Sequence, residues 1–194
     1  MTDSQASKWN ARYAFSEKGI PAPARVLSQG VRWLPDAHID SNAEPPISRR
    51  ALDLACGRAG NGQFLQMCGF HVCAWDVSDR VIEDLRSRQP AVIAEAEVRD
   101  VLLMPPEPDS FDVIVVSRFL DRALCPMIAA ALKPEGVLFY QTFVHGLANP
   151  DYLLAPNELL SLFSQLHVLE YLEPEKDANG KSEARLIAKR GAFS

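Results

Sequence analysis

The chain is poor in the features that mark several large protein classes. It has four cysteines, Cys56, Cys68, Cys73 and Cys125, and none forms a C-x-x-C pair. Its four histidines are scattered. No metal site is therefore expected, and the thiols read as reduced side chains of a cytoplasmic protein. No apolar stretch approaches the ~18 residues of a membrane span. The opening MTDSQASKWNAR lacks the apolar core of a signal peptide, so no membrane partner is expected. Basic residues number 20 against 25 acidic ones, a net charge of −5 with no basic run, which argues against a nucleic-acid partner. Paired carboxylates and a Ser-His-Asp set are also missing, which disfavours hydrolytic chemistry.

What is there is an ordinary globular composition, 47% hydrophobic and 23% charged, in a chain long enough for one domain with a sizeable core. SKWNARYAF, residues 7–15, reads as a short amphipathic helix capped by Ser7, and ARVLSQGVRWLP as a second helix ending before Pro35. The polar, proline-bearing stretch 36–48 reads as a connecting loop. From residue 49 strands and helices alternate. RRALDLAC, FHVCAWDVS, AVIAEAEVRDV, FDVIVVSRFL and GVLFYQTF supply the strands. GNGQFLQMCG, closed by Gly69, DRVIEDLRSRQ, stopped by Pro90, and PMIAAALKPEG supply helices. Repeated βα units predict a doubly wound parallel sheet. The end differs. After a helix at PNELLSLFSQ, the segments LHVLEYLEP and SEARLIAKR flank a turn at KDANG, which predicts an antiparallel hairpin. The fold class is α/β, a mostly parallel sheet with one antiparallel strand near its end.

The stretch ALDLACGRAGNG, residues 51–62, stands at the carboxyl end of the first of these strands, where open α/β sheets bind ligands. A dinucleotide fold needs G-x-G-x-x-G, so that backbone and helix N-terminus meet a pyrophosphate. Here Gly57, Gly60 and Gly62 are spaced G-x-x-G-x-G and follow a carboxylate, Asp53. A carboxylate repels a pyrophosphate and attracts an ammonium group. Asp53 lies inside the strand pattern, too early to cap the next helix. Asp76 closes the following strand, 76 − 53 = 23 residues on, where a carboxylate accepts hydrogen bonds from both hydroxyls of a ribose. Asp100 follows the third strand, in reach of an adenine edge. A cationic amino-acid head, a ribose and an adenine together describe S-adenosylmethionine (SAM).

LDLACGRAGNG, AWDVS, VRDV and ALKPEGVLFYQTF, in this order, resemble the successive motifs of class I SAM-dependent methyltransferases. KWNARYA and SRFLDRALCPMIAAALKPEG are similar to the small bacterial tellurite-resistance (TehB-like) and thiopurine-type members. The resemblance runs from Trp9 through the last hairpin. It implies a Rossmann-like, three-layer α/β/α fold with seven strands, the last antiparallel, spanning residues 49–194. It also implies an enzyme that uses SAM and releases S-adenosylhomocysteine. By the same resemblance Asp53 organises the loop and meets the ligand's amino group, often through water. Ala55, Cys56 and Gly57 pack against the methionine moiety, Asp76 holds the ribose, and Val77 lies beside the adenine. Asp100 and Val101 meet the adenine edge, and Ser117 and Arg118 lie near the methionine and the substrate. The family's loop reads G-x-G, whereas this one reads Gly57-Arg58-Ala59, with a methyl group that narrows the backbone's approach to a ligand.

Methyl transfer from a sulfonium is an in-line displacement that depends on alignment more than on a catalytic constellation. No NPPY or DPPY stretch follows the fourth strand, as it does by resemblance in amino-methylating nucleic-acid enzymes. With the acidic charge, this points to a small-molecule acceptor and a monomer or weak dimer. Arg118 is an anion contact for the acceptor and His145 a candidate base, while Arg118, Asp121 and Arg122 sit at helical spacing, with Asp121 and Arg122 read as members of surface ion pairs across i,i+3 or i,i+4. Cys56 reads as a small buried filler. Residues 1–48 read as an N-terminal lid. Trp9 and Tyr13 share one helical face, Tyr13 closes over the methyl donor, Arg12 pairs with the ligand's carboxylate, and Pro21 and Pro23 bound a hinge. Such a lid is loosely ordered without SAM and protected with it. Two other readings stay open: a SAM-binding or sensing protein without catalysis, motivated by Ala59 and the missing base, and a nicotinamide oxidoreductase, which the glycine spacing disfavours.

Overall fold

The computed structural model describes residues 2–14, 19–40, 47–88, 93, 95–146 and 149–192. The helices are α1 (Thr2–Ala14), α2 (Arg25–Gln29), α3 (Gly60–Met67), α4 (Asp79–Ser87), α5 (Cys125–Ala131) and α6 (Glu158–Leu162). The strands are β1 (His38–Asp40), β2 (Ile47–Ser48), β3 (Arg50–Leu54), β4 (His71–Asp76), β5 (Glu95–Val98), β6 (Phe111–Ser117), β7 (Leu132–His145), β8 (His167–Leu172) and β9 (Ser182–Lys189). Seven strands follow the order β5-β4-β3-β6-β7-β9-β8, and β1 and β2 form a separate ribbon. Pairings β3–β4, β4–β5 and β6–β7 are parallel, whereas β9 runs antiparallel to both β7 and β8. The doubly wound, mostly parallel sheet with an antiparallel last strand is thus what the chain forms. The chain divides into two compact units, one of Met1–Pro23 with Asp36–Pro105 and one of Ala24–Pro35 with Pro106–Ser194.

In the first unit, β3 and β4 bury nearly every residue, and Leu65 of α3 with Ile82 and Leu85 of α4 complete the apolar layer. Gly69 closes α3 as expected, at φ 93°: its N–H donates to Gln66 O (2.9 Å) and that of Phe70 to Leu65 O (3.1 Å). Helix α1 begins five residues before the expected start, so Ser7 lies mid-helix rather than at a cap. No proline or glycine precedes Gly19, and nothing stops the helix from extending back. Phe15 and Pro90, the expected end of that helix and the expected stop after α4, lie outside the described residues. The stretch 36–48, expected to be a loop, carries β1 and β2, paired antiparallel from His38 to Ser48.

In the second unit, β6 is buried from Phe111 to Val116, as its unbroken apolar run requires. The single helix expected over 24–34 is interrupted. It stops at Gly30, where a Cβ would stand 2.4 Å from Ile187 Cδ1 and 2.6 Å from Val26 O, and continues as a 3-10 turn over Val31–Trp33. The segment after β6 is not helical either, since α5 starts only at Cys125. The expected i,i+3 and i,i+4 ion pairs there do not form. Asp121 instead accepts from Leu124 N (3.0 Å), and Arg122 pairs with Glu158 (2.6 Å).

Candidate functional site

The loop after β3 reverses direction through three left-handed residues in alternation, Ala55 (φ 54°), Gly57 (φ 52°) and Ala59 (φ 57°). Two buried carboxylates hold it there. Asp53 is fully buried, and its Oδ2 accepts from Gly62 N (2.8 Å), while Oδ1 accepts from Asn61 Nδ2 (3.3 Å). Asp53 therefore does cap α3, contrary to the reading that it sits too early. The loop folds back, so a strand residue nine positions before Gly62 meets the helix's first turn. Burial pushes its pKa up to about 7, against the downward pull of those two hydrogen bonds.

Asp76, at the end of β4, accepts from Gly57 N (2.9 Å) through Oδ2 and from Ser78 N (2.9 Å) through Oδ1. A third hydrogen bond comes from the Tyr13 side chain. Burial raises the Asp76 pKa and all three bonds oppose the rise. Tyr13 is itself pushed up, first by burial and then by the Asp76 charge, so its phenol stays a donor. The ring covers the loop closely: a Cβ on Gly57 would stand 2.9 Å from the Tyr13 hydroxyl. Two further contacts dock α1. Ser78 Oγ donates to Asn10 Oδ1 (2.5 Å), and Arg58, paired with Asp84 (3.0 Å), donates to Tyr13 O (3.2 Å). Ser78 Oγ also accepts from Val81 N (3.3 Å) and so caps α4.

The other expected residues of this unit fall into place unevenly. Cys56 is buried, and burial followed by the charges of Asp53 and Asp76 pushes its thiol up, so it stays protonated filler. Val77 is half-buried beside Asp76, and Val101 is buried. Asp100 turns its Oδ1 back onto Leu102 N (3.0 Å), an Asx turn. Arg12 is exposed, with its guanidinium 5.1 Å over the Trp9 ring, itself 6.1 Å from the Tyr13 ring. It does not join the Asp76 cluster. Ala59 is fully buried, so its methyl does not narrow an open face of the loop as expected. Its left-handed backbone costs roughly 1–2 kcal/mol that glycine would not.

Ser117, Arg118 and His145 belong to the second unit. Arg118 is left-handed (φ 56°), and its Nε pairs with Glu183 (2.7 Å) while Cζ lies 5.8 Å over the Phe143 ring. Its charge is already matched, which weakens its expected role as an anion contact. Glu183 also accepts from Gln141 Nε2, and the buried Gln141 Oε1 accepts from Val26 N (2.9 Å). Ser117 is half-buried at the end of β6, and His145 is exposed at the end of β7. Sequence reading missed Asn10, Ser78, Arg58, Gln141 and Glu183. Only Gln141, a lone amide in an apolar strand, carries a local signal.

Whether the cluster suits SAM is decided at Asp76, a buried acceptor that already takes a hydroxyl donor, over a glycine with room for nothing larger than hydrogen. A ribose hydroxyl offers the same chemistry. Residues 51–136 match the methyltransferase-domain family. The solved structures similar to this chain share its fold at low sequence identity, and several are SAM-dependent methyltransferases. TehB from Haemophilus influenzae is 22% identical (TM-score 0.62), covering 73% of this chain and 57% of its own. The chain thus spans little more than half of TehB. A SAM-dependent methyltransferase from Methanosarcina mazei is 16% identical (TM-score 0.66), over 89% and 100% of the two chains. A Haemonchus contortus phosphoethanolamine N-methyltransferase, solved with phosphomonomethylethanolamine and S-adenosylhomocysteine, is 15% identical (TM-score 0.65), over 94% and 56%. A search of the curated proteins returns no match.

Proposed function

We infer that this methyltransferase transfers a methyl group from SAM to a small-molecule acceptor. The observation that carries the reading is the buried Asp76 carboxylate, tied to Gly57 N and Ser78 N and receiving a hydroxyl. When bound, SAM would supply an electrophilic sulfonium methyl, its carbon–sulfur bond breaking as the acceptor bonds to the carbon and S-adenosylhomocysteine leaves. The chain supplies placement. Asp76 binds the ribose hydroxyls, Asp53 holds the loop by capping α3, and Ala55, Cys56 and Gly57 present the backbone to the methionine moiety. Val77, Asp100 and Val101 border the adenine. The net charge of −5 supports a small acceptor over a nucleic acid. No described helix is long and apolar enough to cross a membrane. Cys56, Cys68, Cys73 and Cys125 are free thiols, which supports a cytoplasmic enzyme. The test is production of S-adenosylhomocysteine from SAM with a panel of small thiol, amine, hydroxyl and oxyanion acceptors.

A second reading, a SAM sensor without catalysis, has one observation in its favour: Tyr13 already occupies Asp76, so SAM binding is coupled to the release of α1. SAM binding with no turnover across the panel would select it.

A further inference from the structure

At the opposite end of β4 from Asp76, three different metal-ligating side chains meet. His71 and Cys73 are two residues apart on β4 and so share a face, and Glu95 pairs with Cys73 from β5. His71 Nε2 lies 2.7 Å from Glu95 Oε1, and Cys73 Sγ lies 2.8 Å from Glu95 Oε2. One ligand atom from each residue falls within 4.8 Å of the others. We propose that His71, Cys73 and Glu95 bind a borderline-soft divalent ion, zinc or cobalt, through one imidazole nitrogen, one thiolate and one carboxylate.

The geometry and the donor set argue this together. A tetrahedral ion with bonds of about 2.0–2.3 Å holds its ligands roughly 3.3–3.7 Å apart, so side-chain shifts on the order of 1 Å, chiefly opening the two contacts to Glu95, admit it. An N, S and O set suits zinc or cobalt and not magnesium or calcium. Side-chain exposures of 42% for His71 and 49% for Glu95 give an ion entry from solvent, while Cys73 is buried behind them. Arg50 occupies the cationic place now: its Nη2 lies 3.3 Å from Cys73 Sγ and 3.8 Å from Glu95. At 44% side-chain exposure it can swing outward as the ion enters and the thiol proton leaves to solvent. Three protein ligands leave a fourth position open, and the ion would tie the edge strand β5 to β4. The five-residue rise from His71 to Asp76 is about 16 Å, so the site is separate from the cofactor loop.

Cobalt(II) added to the full, reduced chain should give a thiolate-to-cobalt charge-transfer band and the visible bands of a four-coordinate ion, both abolished by zinc. Cys73→Ser should remove the charge-transfer band, and Cys68→Ser should leave it. His71→Ala should weaken cobalt at least about tenfold, the lower range for even an outer-shell partner. Arg50→Gln should tighten it severalfold by removing a competing cation. Absence of the bands, or bands that survive Cys73→Ser and vanish in Cys68→Ser, overturns the site. If Cys73→Ser does not fold, the surface variants decide: unchanged cobalt affinity in both His71→Ala and Arg50→Gln overturns it.

Discussion

Asp53 and Tyr13 do most at the scale of single residues, and neither does what its position in the sequence suggests. Asp53 reads as a partner for an ammonium group, yet its carboxylate is spent inside the loop on Gly62 and Asn61. Asp53→Ala should therefore weaken SAM and adenosine by the same factor in calorimetric titrations. A larger loss for SAM would mean that the carboxylate reaches the amino-acid head. Its titration gives a second check. With its pKa raised from 3.8 to about 7, the folded chain keeps a proton that the unfolded chain has released. The Asp53 contribution to stability is thus full below pH 4 and is lost as pH rises to 7, on the order of 4 kcal/mol. Asp53→Asn keeps an acceptor for Gly62 N and should remove that fall, so urea denaturation at pH 4 and pH 7 should show the wild type losing more than the variant. An equal change in both would refute the buried-acid account. Tyr13 donates the hydrogen bond to Asp76 that a ribose would, so Tyr13→Phe should tighten SAM by up to about tenfold. Weaker binding would mean that the phenol joins the ligand instead of competing with it. None of this is written locally: Tyr13 and Asp76 are 63 residues apart, 76 − 13, and only the fold brings them together.

At the scale of elements, the order of strands and helices was legible wherever a local signal exists. Gly69 closes α3, the unbroken apolar run makes β6, and the KDANG turn folds the last hairpin. The misreadings fall where tertiary packing outranks local pattern. Gly30 interrupts a helix because Ile187 fills the space its side chain would need, and the residues after β6 look helical but only lead into α5. The expected loosely ordered lid is, in the structure, a formed helix docked by Asn10, Tyr13 and the contact from Arg58. Ser78 serves two elements at once, so Ser78→Ala should cost about 1 kcal/mol in denaturant unfolding through the lost α4 cap. Asn10→Ala should spare that cap, and both should speed amide exchange over residues 7–14. The proposed ribose site has SAM take Tyr13's place on Asp76, so adding SAM should speed the same exchange. A closing lid requires the opposite, slower exchange with SAM, and unchanged exchange makes α1 a fixed support.

At the scale of the whole molecule, the doubly wound, mostly parallel sheet and the antiparallel β9 were anticipated because βα repeats and a terminal hairpin leave few topologies. SAM was legible as a candidate ligand because three acids at successive strand ends describe one molecule. The His71, Cys73 and Glu95 cluster was not, since a search for paired cysteines passes over donors that assemble only when two strands pair. The acceptor stays open because in-line transfer asks for alignment and leaves no residue signature. The central claim is that Asp76 holds the ribose of SAM, and calorimetric titration of SAM into the wild type and Asp76→Ala tests it most directly. The wild type should bind, and the variant should lose about tenfold or more in affinity with the loss of charge-assisted hydrogen bonds. A variant that is folded and binds SAM within about twofold of the wild type would contradict the account.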